Sequence, residues 1–458
     1  QYVYADKIRV TDFHMASIPP PLCHYQLNLT SAICCLAQSK KHVAFLLSNR
    51  TVSLYNVVDR KYVHEKDYEL DEGIGNVSLI YNLQWKDDDQ LSFLECSSTW
   101  NIVEVTLERS GFATCRVVYK SYMELLWQSY SSRGYVVETF DGKWNLLEES
   151  RNQLEPLCLD ASGNIEFKTQ FCYNCCFYEQ ERIVVGLTRS NQFLVNNRLL
   201  SDNVGSYSVG DEFLLLLTLD HRIRTFLISD ISAGTTVSKL GGGRAVERGS
   251  TIIGHDPSGT TVWLQMPRGN LETLHLRALL ISKLMKLMDK LEYRQAIELM
   301  RKQRVNMNLL YDHSPELFMN NMRRFVDEVG DCDYLNLFIL SLSDEDTTTT
   351  LYSENYPQKT GRSRERPGEK KVNMICEHLR STILKLEPKR VCAFFTAVLS
   401  TYIKHIPPMI SEGLVALHDE ASQFDCKDEL EQKWIRYISV LVPEKNLFSA
   451  ALETGNIP

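Results

Sequence analysis

No apolar run in this 458-residue chain approaches the roughly 18 to 20 residues of a membrane-spanning helix; Phe213 to Leu217 is among the longest. No membrane partner is expected. An excess of positive charge is missing as well. The formal net charge is -8, made up of -2 over residues 271–458 and -6 over residues 1–270. Neither half has the basic bias of a dedicated nucleic-acid binder. There is also no paired-cysteine framework. The 13 cysteines are odd in number and scattered, with Cys34, Cys35, Cys158 and Cys392 on apolar backgrounds, whereas small secreted scaffolds crowd theirs into a short chain. They read as reduced thiols acting as small core hydrophobes, and the sequons at Asn28, Asn49 and Asn76 as chance matches. The chain opens on Gln1 with no signal-peptide pattern, which reads as an internal piece of a longer protein.

Reactive constellations are equally scarce. Cys172 and Cys175, with Cys176 beside them, have the spacing of half a zinc site, but a closed site needs four ligands. The next cysteine is Cys332, so these thiols read as strand core. Gly241-Gly242-Gly243-Arg244 lacks the lysine and hydroxyl residue of a phosphate loop and reads as a plain loop. Asp312-His313-Ser314 are consecutive, and a catalytic triad is assembled in space, so they read as a turn and a helix cap. No catalytic residue, cofactor or metal is expected, and an enzyme is not the reading.

What the chain does have is a repeated unit of apolar run, polar turn and apolar run. Six such hairpins turn near residues 49, 99, 141, 190, 221 and 258, on residues that tolerate positive φ or bond their own backbone. The spacing of about 31 to 50 residues brackets the roughly 40 to 45 of a propeller blade. Val3 to Phe13 supplies a further strand-like stretch. Six hairpins are visible, while the length over which they run favours seven blades; six blades or two smaller β-domains are the alternatives. The Gly-His and Trp-Asp dipeptides of WD40 blades do not recur along the chain, so period and spacing carry the repeat.

The period then changes. Val262, Leu264 and Met266 alternate as in a strand, whereas Leu274, Ala278, Ile281, Met285 and Met288 fall on one helix face. Pro267 and Gly269 break the pattern, with Asn270 as N-cap. These three are the expected inter-domain hinge. The reading is a WD40-type β-propeller over residues 1–269 and a TPR-like α-solenoid over 270–458, a compact helical bundle being the alternative. Helices are expected at Leu271–Leu291, Tyr293–Arg301, from Ser314-Pro315-Glu316 through Val329, and at Tyr334–Leu342, Val372–Leu386, Arg390–His405, Ile410–Gln423, Glu429–Val442 and Lys445–Leu452. Between Ser343 and Lys371 the periodicity disappears into charge, threonine, proline and glycine, which predicts a disordered loop at 343–371. Its basic strip, with Ser363 among arginines, suits phosphate contact or phosphorylation, against a plain solvated loop. Arg268, His275 and Arg277 lie near the domain boundary and off the apolar stripe, and are the expected partner-binding residues.

Three runs carry a resemblance: Pro19-Pro20-Pro21-Leu22-Cys23-His24-Tyr25-Gln26-Leu27, Asp211-Glu212-Phe213-Leu214-Leu215-Leu216 and Val246-Glu247-Arg248-Gly249-Ser250. They resemble the second propeller of the largest-subunit (IKAP) family of the Elongator complex. Leu264 to Glu272, with His275, Arg277, Ala278 and Leu279, is similar to that family's propeller-to-solenoid junction; Asn306, Asn308, Leu309, Tyr311, Asp312 and His313 match the stretch that follows. The resemblance implies a non-catalytic scaffold that organises a catalytic subunit with radical-SAM and acetyltransferase-like domains and a WD40 accessory subunit. It implies an assembly that modifies wobble uridines of tRNA with 5-carboxymethyl-type side chains, in the cytoplasm, with a nuclear pool as the variant. tRNA is then reached through the complex or through regions outside this chain, and dimerisation through a C-terminal region also outside it. A vesicle-coat-type propeller-solenoid scaffold is the alternative, against which the junction run argues.

Overall fold

Each of the six expected hairpins is an antiparallel strand pair in the computed structural model, which describes residues 7–10, 25–39, 41–58, 61–71, 79–108, 110–131, 133–140, 143–148, 153–156, 158–160, 163–164, 172–178, 183–196, 198–232, 243–256, 259–356 and 370–454. The pairs are His42–Leu47 with Thr51–Val58, Gln90–Cys96 with Trp100–Leu107, Gly134–Thr139 with Trp144–Glu148, Ile183–Thr188 with Phe193–Val195, Phe213–Thr218 with Arg222–Leu227, and Thr251–His255 with Thr261–Gln265. The first five are the middle strands of four-stranded meanders, and the sixth opens a three-stranded one that ends in Leu271–His275. Two meanders share one sheet because their outermost strands meet in parallel, Phe112 and Ala113 opposite Glu69 and Leu70. Within the expected Val3 to Phe13 stretch, Lys7–Val10 is a strand paired with Tyr25–Asn28.

Three of the hairpins use the same turn. Arg50, Asn191 and His221 sit at φ 66, 63 and 61°, each three residues past the end of the incoming strand. Their amides donate to Leu47, Thr188 and Thr218 carbonyls at 2.9, 3.1 and 2.9 Å. This is a type I turn closed by a left-handed residue, a common three-residue hairpin connection. The carbonyls of Arg50, Asn191 and His221 then accept from the amides of Leu70, Val204 and Val246, so each turn also fixes a strand end elsewhere in the chain.

Alternate residues of one strand pack against different neighbours. Leu91 and Phe93 join the core of the preceding meander with Ala44, Leu46 and Val52, whereas Leu94 packs with Leu125, Tyr135 and Val137 of the next. A sheet covered on both faces has no polar side, which is why these middle strands read as unbroken apolar runs. Polar clips join neighbouring meanders: Lys86 Nζ lies 2.7 Å from Glu104 Oε1, which also accepts from the Tyr135 hydroxyl at 2.8 Å. Ser208 Oγ lies 2.8 Å from His255 Nδ1, and Ser206 Oγ accepts from the Ile252 amide at 2.9 Å.

His255 is buried against Gly210. A Cβ on Gly210 would stand 2.0 Å from His255 Nε2 and 2.7 Å from its Cε1. Gly210→Ala is therefore expected to cost about 1–3 kcal/mol by overpacking, read as a lowered midpoint of the β-unit in urea. Adding His255→Ala should return part of that loss. If Gly210→Ala unfolds at the parent midpoint, the clash is relieved by motion and the expectation fails.

The chain passes from strand to helix later than expected. Leu271–His275 is a strand, paired Leu274 to Val262 and His275 to Thr261. Pro267, Gly269 and Asn270 belong to the hairpin turn before it, closed by the Gly269 amide on Met266 O and the Met266 amide on Asn270 O, both 2.8 Å, with Gly269 at φ 85°. They are neither hinge nor N-cap. A proline and glycine between two apolar stretches serve a hairpin as well as a domain break. The two compact units are Gln1–Leu276 and Arg277–Pro458.

A short helix, α1 (Ile228–Ser232), belongs to the first unit. In the second unit the described residues form α2 (Arg277–Asp289), α3 (Tyr293–Gln303), α4 (Leu309–Asp312), α5 (Pro315–Asn320), α6 (Met322–Val329), α7 (Cys332–Ser341), α8 (Lys371–Leu384), α9 (Pro388–Lys404), α10 (Ile410–Ala421), α11 (Lys427–Leu441) and α12 (Glu444–Thr454). With α2 beginning at Arg277, its fully buried face is Leu279, Leu280, Ile281, Leu284 and Met288; Ala278 and Met285 are only partly covered. The helix expected to run through Val329 is broken at Asn321, whose side-chain amide donates to Leu317 O at 2.8 Å. Pro315 and Pro388 open α5 and α9 at the first turn, where no amide is lost. Gly330 ends α6 at φ 59°. One continuous core runs from Leu280 to Val442.

The expected disordered loop at 343–371 also needs correction. Thr347 and Thr348 are fully buried, Tyr352 and Tyr356 nearly so, and Ser353–Asn355 forms a turn of 3-10 helix. Lys371 begins α8. Apolar residues are few in this segment, yet side-chain hydrogen bonds to the helices order it. Residues 357–369, including Arg362, Ser363, Arg364 and Arg366, lie outside the described residues.

Candidate functional site

Arg268 occupies the exposed tip of the hairpin turn that precedes Leu271–His275. His275 ends that strand. Four residue steps at about 3.4 Å each separate its two ends, so Arg268 and His275 do not form one constellation. His275 is half-buried and tied within the sheet: its Nδ1 lies 3.2 Å from Thr260 Oγ1, and its carbonyl accepts from Arg244 Nη1 at 3.2 Å. Arg277 is the exposed first residue of α2, in the other unit. The two arginines are free of burial; the histidine serves as a brace.

The densest polar cluster lies where the sequence read a turn. Asp312 is 2% exposed and Lys371 12%, with Lys371 Nζ 2.7 Å from Asp312 Oδ1. Asp312 Oδ2 accepts from the amide and hydroxyl of Thr347 at 2.9 and 2.8 Å. Lys371 also donates to Glu345 O at 2.9 Å and stands 5.7 Å from the Tyr311 ring centroid. His313 turns the other way, with Nε2 2.9 Å from Asp289 Oδ1 and Nδ1 2.8 Å from the Tyr356 hydroxyl. A carboxylate only accepts, so neutral His313 holds its proton on Nε2 and accepts from Tyr356. Ser314 stands apart as the extended N-cap of α5. Burial pushes the Asp312 carboxyl above its usual range, against the pull of Lys371 and Thr347. Each of these bonds joins two parts of the same unit, which makes the cluster a packing device.

Two family models cover the chain in succession. Residues 5–253 match the ELP1 N-terminal second beta-propeller, and residues 277–457 match the ELP1 alpha-solenoid. The chain belongs to the Elongator complex protein 1 family. It is 29% identical to Elongator complex protein 1 of Oryctolagus cuniculus over 98% of this chain and 38% of that protein. It is 27% identical to the Mus musculus protein, over 98% of this chain and 38% of that one. With the Schizosaccharomyces pombe protein it shares 26% identity over 97% of this chain and 35% of the relative. The chain thus spans about two fifths of the length of the curated relatives it matches. A solved Cps50 (Swd1) β-propeller domain from Myceliophteria thermophila aligns with 55% of this chain and 86% of its own at TM-score 0.37 and 10% identity, too slight a likeness to bear on the assignment.

The stretch that carried the family resemblance, Asn306 to His313, is the one on which the cluster is built. Asn308 Nδ2 donates to Ser341 O at 2.8 Å while its Oδ1 accepts from the Ser343 amide at 2.9 Å. Sequence reading missed Thr347 and Lys371 as partners of Asp312. The available signal was Asp346 followed by four threonines, since such residues bond their own backbone and order a segment locally.

The remaining candidates separate clearly. Cys172, Cys175 and Cys176 lie on the strand Cys172–Tyr178, with side chains outside the described set. Gly241 and Gly242 lie outside it too, and Gly243-Arg244 leads into the short strand Arg244–Ala245. Among the described residues no three His, Cys, Asp or Glu side chains stand together as a metal site. Burial raises the Cys35 and Cys376 thiols to about 12 and Cys115 to about 11. At neutral pH these three are protonated and poor nucleophiles.

Proposed function

We propose that this chain is part of a non-catalytic scaffold subunit of the Elongator complex, acting in the cytoplasm in the modification of tRNA wobble uridines. The tandem family match, propeller then solenoid in one chain, carries the reading. Its partners are then the catalytic radical-SAM and acetyltransferase-like subunit and the WD40 accessory subunit. tRNA contact and dimerisation fall to the complex or to regions that the relatives have beyond the matched span.

In this reading Arg268 and Arg277 each contact a partner subunit, since arginine is enriched among interface anchors. Arg268→Glu and Arg277→Glu, made singly, are expected to leave the thermal melt within about 0.5 kcal/mol of the parent, as exposed substitutions do. Loss of an anchor should weaken capture of the catalytic subunit by about 2 kcal/mol, roughly 30-fold. A pull-down beside a melt reads both. A lowered melt with full capture would make the arginines braces, and loss of all capture by the unmodified chain would overturn the scaffold assignment itself.

A further inference from the structure

The segment before residue 357 and the helix after residue 369 are anchored on two consecutive side chains. Tyr356 closes on His313, at 2.8 Å between its hydroxyl and Nδ1, with the rings edge to face at 5.8 Å. Lys371 closes on Asp312 at 2.7 Å, and the next amide, Val372 N, donates to Asp344 Oδ1 at 3.0 Å. Further bonds pin the approach to Tyr356: the Tyr352 hydroxyl accepts from the Asn306 amide at 2.9 Å, and Thr347 is held by Asp312. On the far side α8 buries Val372, Ile375, Cys376 and Leu379 in the helical core.

Fifteen steps of chain from Tyr356 to Lys371 could extend about 50 Å, yet both ends come back to neighbouring residues. We infer that Asp312 and His313 act as a two-point clamp fixing both ends of residues 357–370, so that the helical unit keeps its structure whatever sequence fills positions 357–369. Closing a stretch of this length costs an entropy that depends only weakly on residue number. The contacts of Asp312 and His313 with Lys371 and Tyr356 offset part of it. The clamp therefore makes this a place where length and composition can change without disturbing the helices on either side, independently of the scaffold reading above.

The test keeps Pro357, replaces residues 358–369 with about eight Gly/Ser residues, long enough to reach roughly 30 Å, and compares that chain with Asp312→Ala and His313→Leu. The replacement is expected to melt within about 1 °C of the parent, and the clamp variants several degrees lower. Cleavage by chymotrypsin after Tyr352, identified by fragment mass, should stay as slow as in the parent for the replacement and rise at least about 10-fold in the clamp variants, because it reads opening of this segment; the Tyr356–Pro357 bond resists the protease in every chain. If Asp312→Ala yields no folded chain, His313→Leu carries the comparison, since it leaves the Asp312–Lys371 pair in place. A replacement that melts as low as the clamp variants, or clamp variants with parental melting and cleavage, would overturn the inference.

Discussion

Phe325→Ala is expected to destabilise the helical unit by about 3–5 kcal/mol, the range for emptying a buried aromatic site. Phe325 on α6 is fully buried and joins three other helices through their rings. Its centroid lies 5.3 Å from Tyr293 of α3 at 89°, 5.0 Å from Phe318 of α5 and 5.2 Å from Phe338 of α7. Phe318 closes the group at 5.9 Å from Tyr293 and 5.6 Å from Phe338. Edge-to-face pairs at such distances add about 0.5–1.5 kcal/mol each beyond area burial, and four elements share the cavity, so no single helix can collapse into it. Phe325→Leu keeps much of the volume and should cost roughly half as much. Unfolding in urea, followed by the helical circular dichroism signal, measures both against Val440→Ala, which alters a side chain 83% exposed. A Phe325→Ala midpoint no lower than the Val440→Ala one would show that these rings are not the core of the unit.

Those aromatic positions are legible in the sequence, and the reason is periodicity. Phe318, Phe325 and Phe338 lie on stretches that keep helical spacing, and helices were expected there. The propeller hairpins were legible for a related reason. Strands such as Gly134–Thr139 and Ile183–Thr188 are buried at every position, so they appear as apolar runs between turns. The outermost strands escaped notice: Lys61–Leu70 is mostly exposed and carries Lys61, His64, Glu65, Lys66, Asp67 and Glu69, a composition that a loop shares. This strand holds its conformation through a ladder to Thr51–Val58 and, at Glu69 and Leu70, to Phe112 and Ala113, and backbone ladders leave little trace in hydrophobic pattern.

The boundary between the units was misplaced for a different reason. Leu271, Leu274 and Ala278 fit a helical stripe as well as a strand followed by a helix, and a five-residue strand is too short for its alternation to stand out. Hydrogen bonds to Gln265 and Thr261, residues apart in sequence, decide the matter. The same holds for residues 343–356. Their order comes from Asp312, Asn306, Asn308 and His313, 35 to 46 residues upstream, and composition alone does not report such partners. Polarity near a boundary marks Arg268, His275 and Arg277 alike in the sequence, and the structure sorts them by burial: Arg268 and Arg277 exposed, His275 tied to Thr260.

Asp312→Ala is expected to cost about 3–5 kcal/mol, because it leaves Lys371 as an unpaired charge with little access to water. Its size does not measure what the pair contributes. Burial raises the Asp312 carboxyl from its ordinary 3.8 despite Lys371 and Thr347, so the folded state takes up that proton more readily than the unfolded chain. The group's contribution to stability is therefore fullest below about pH 3.8 and falls as pH rises through the higher folded value. At neutral pH the ionised carboxylate carries a desolvation cost that its partners do not fully offset. Removing both charges should then be milder than the single losses suggest. In a double-mutant cycle of Asp312→Ala with Lys371→Met, the pair is expected to couple by about 1–3 kcal/mol. The double variant should remain below the parent, since the buried Thr347 amide and hydroxyl both lose their acceptor. Urea midpoints of the four chains give the cycle. Strictly additive losses would mean that Lys371 finds water once Asp312 is gone, and the pair would then be an ordinary surface contact.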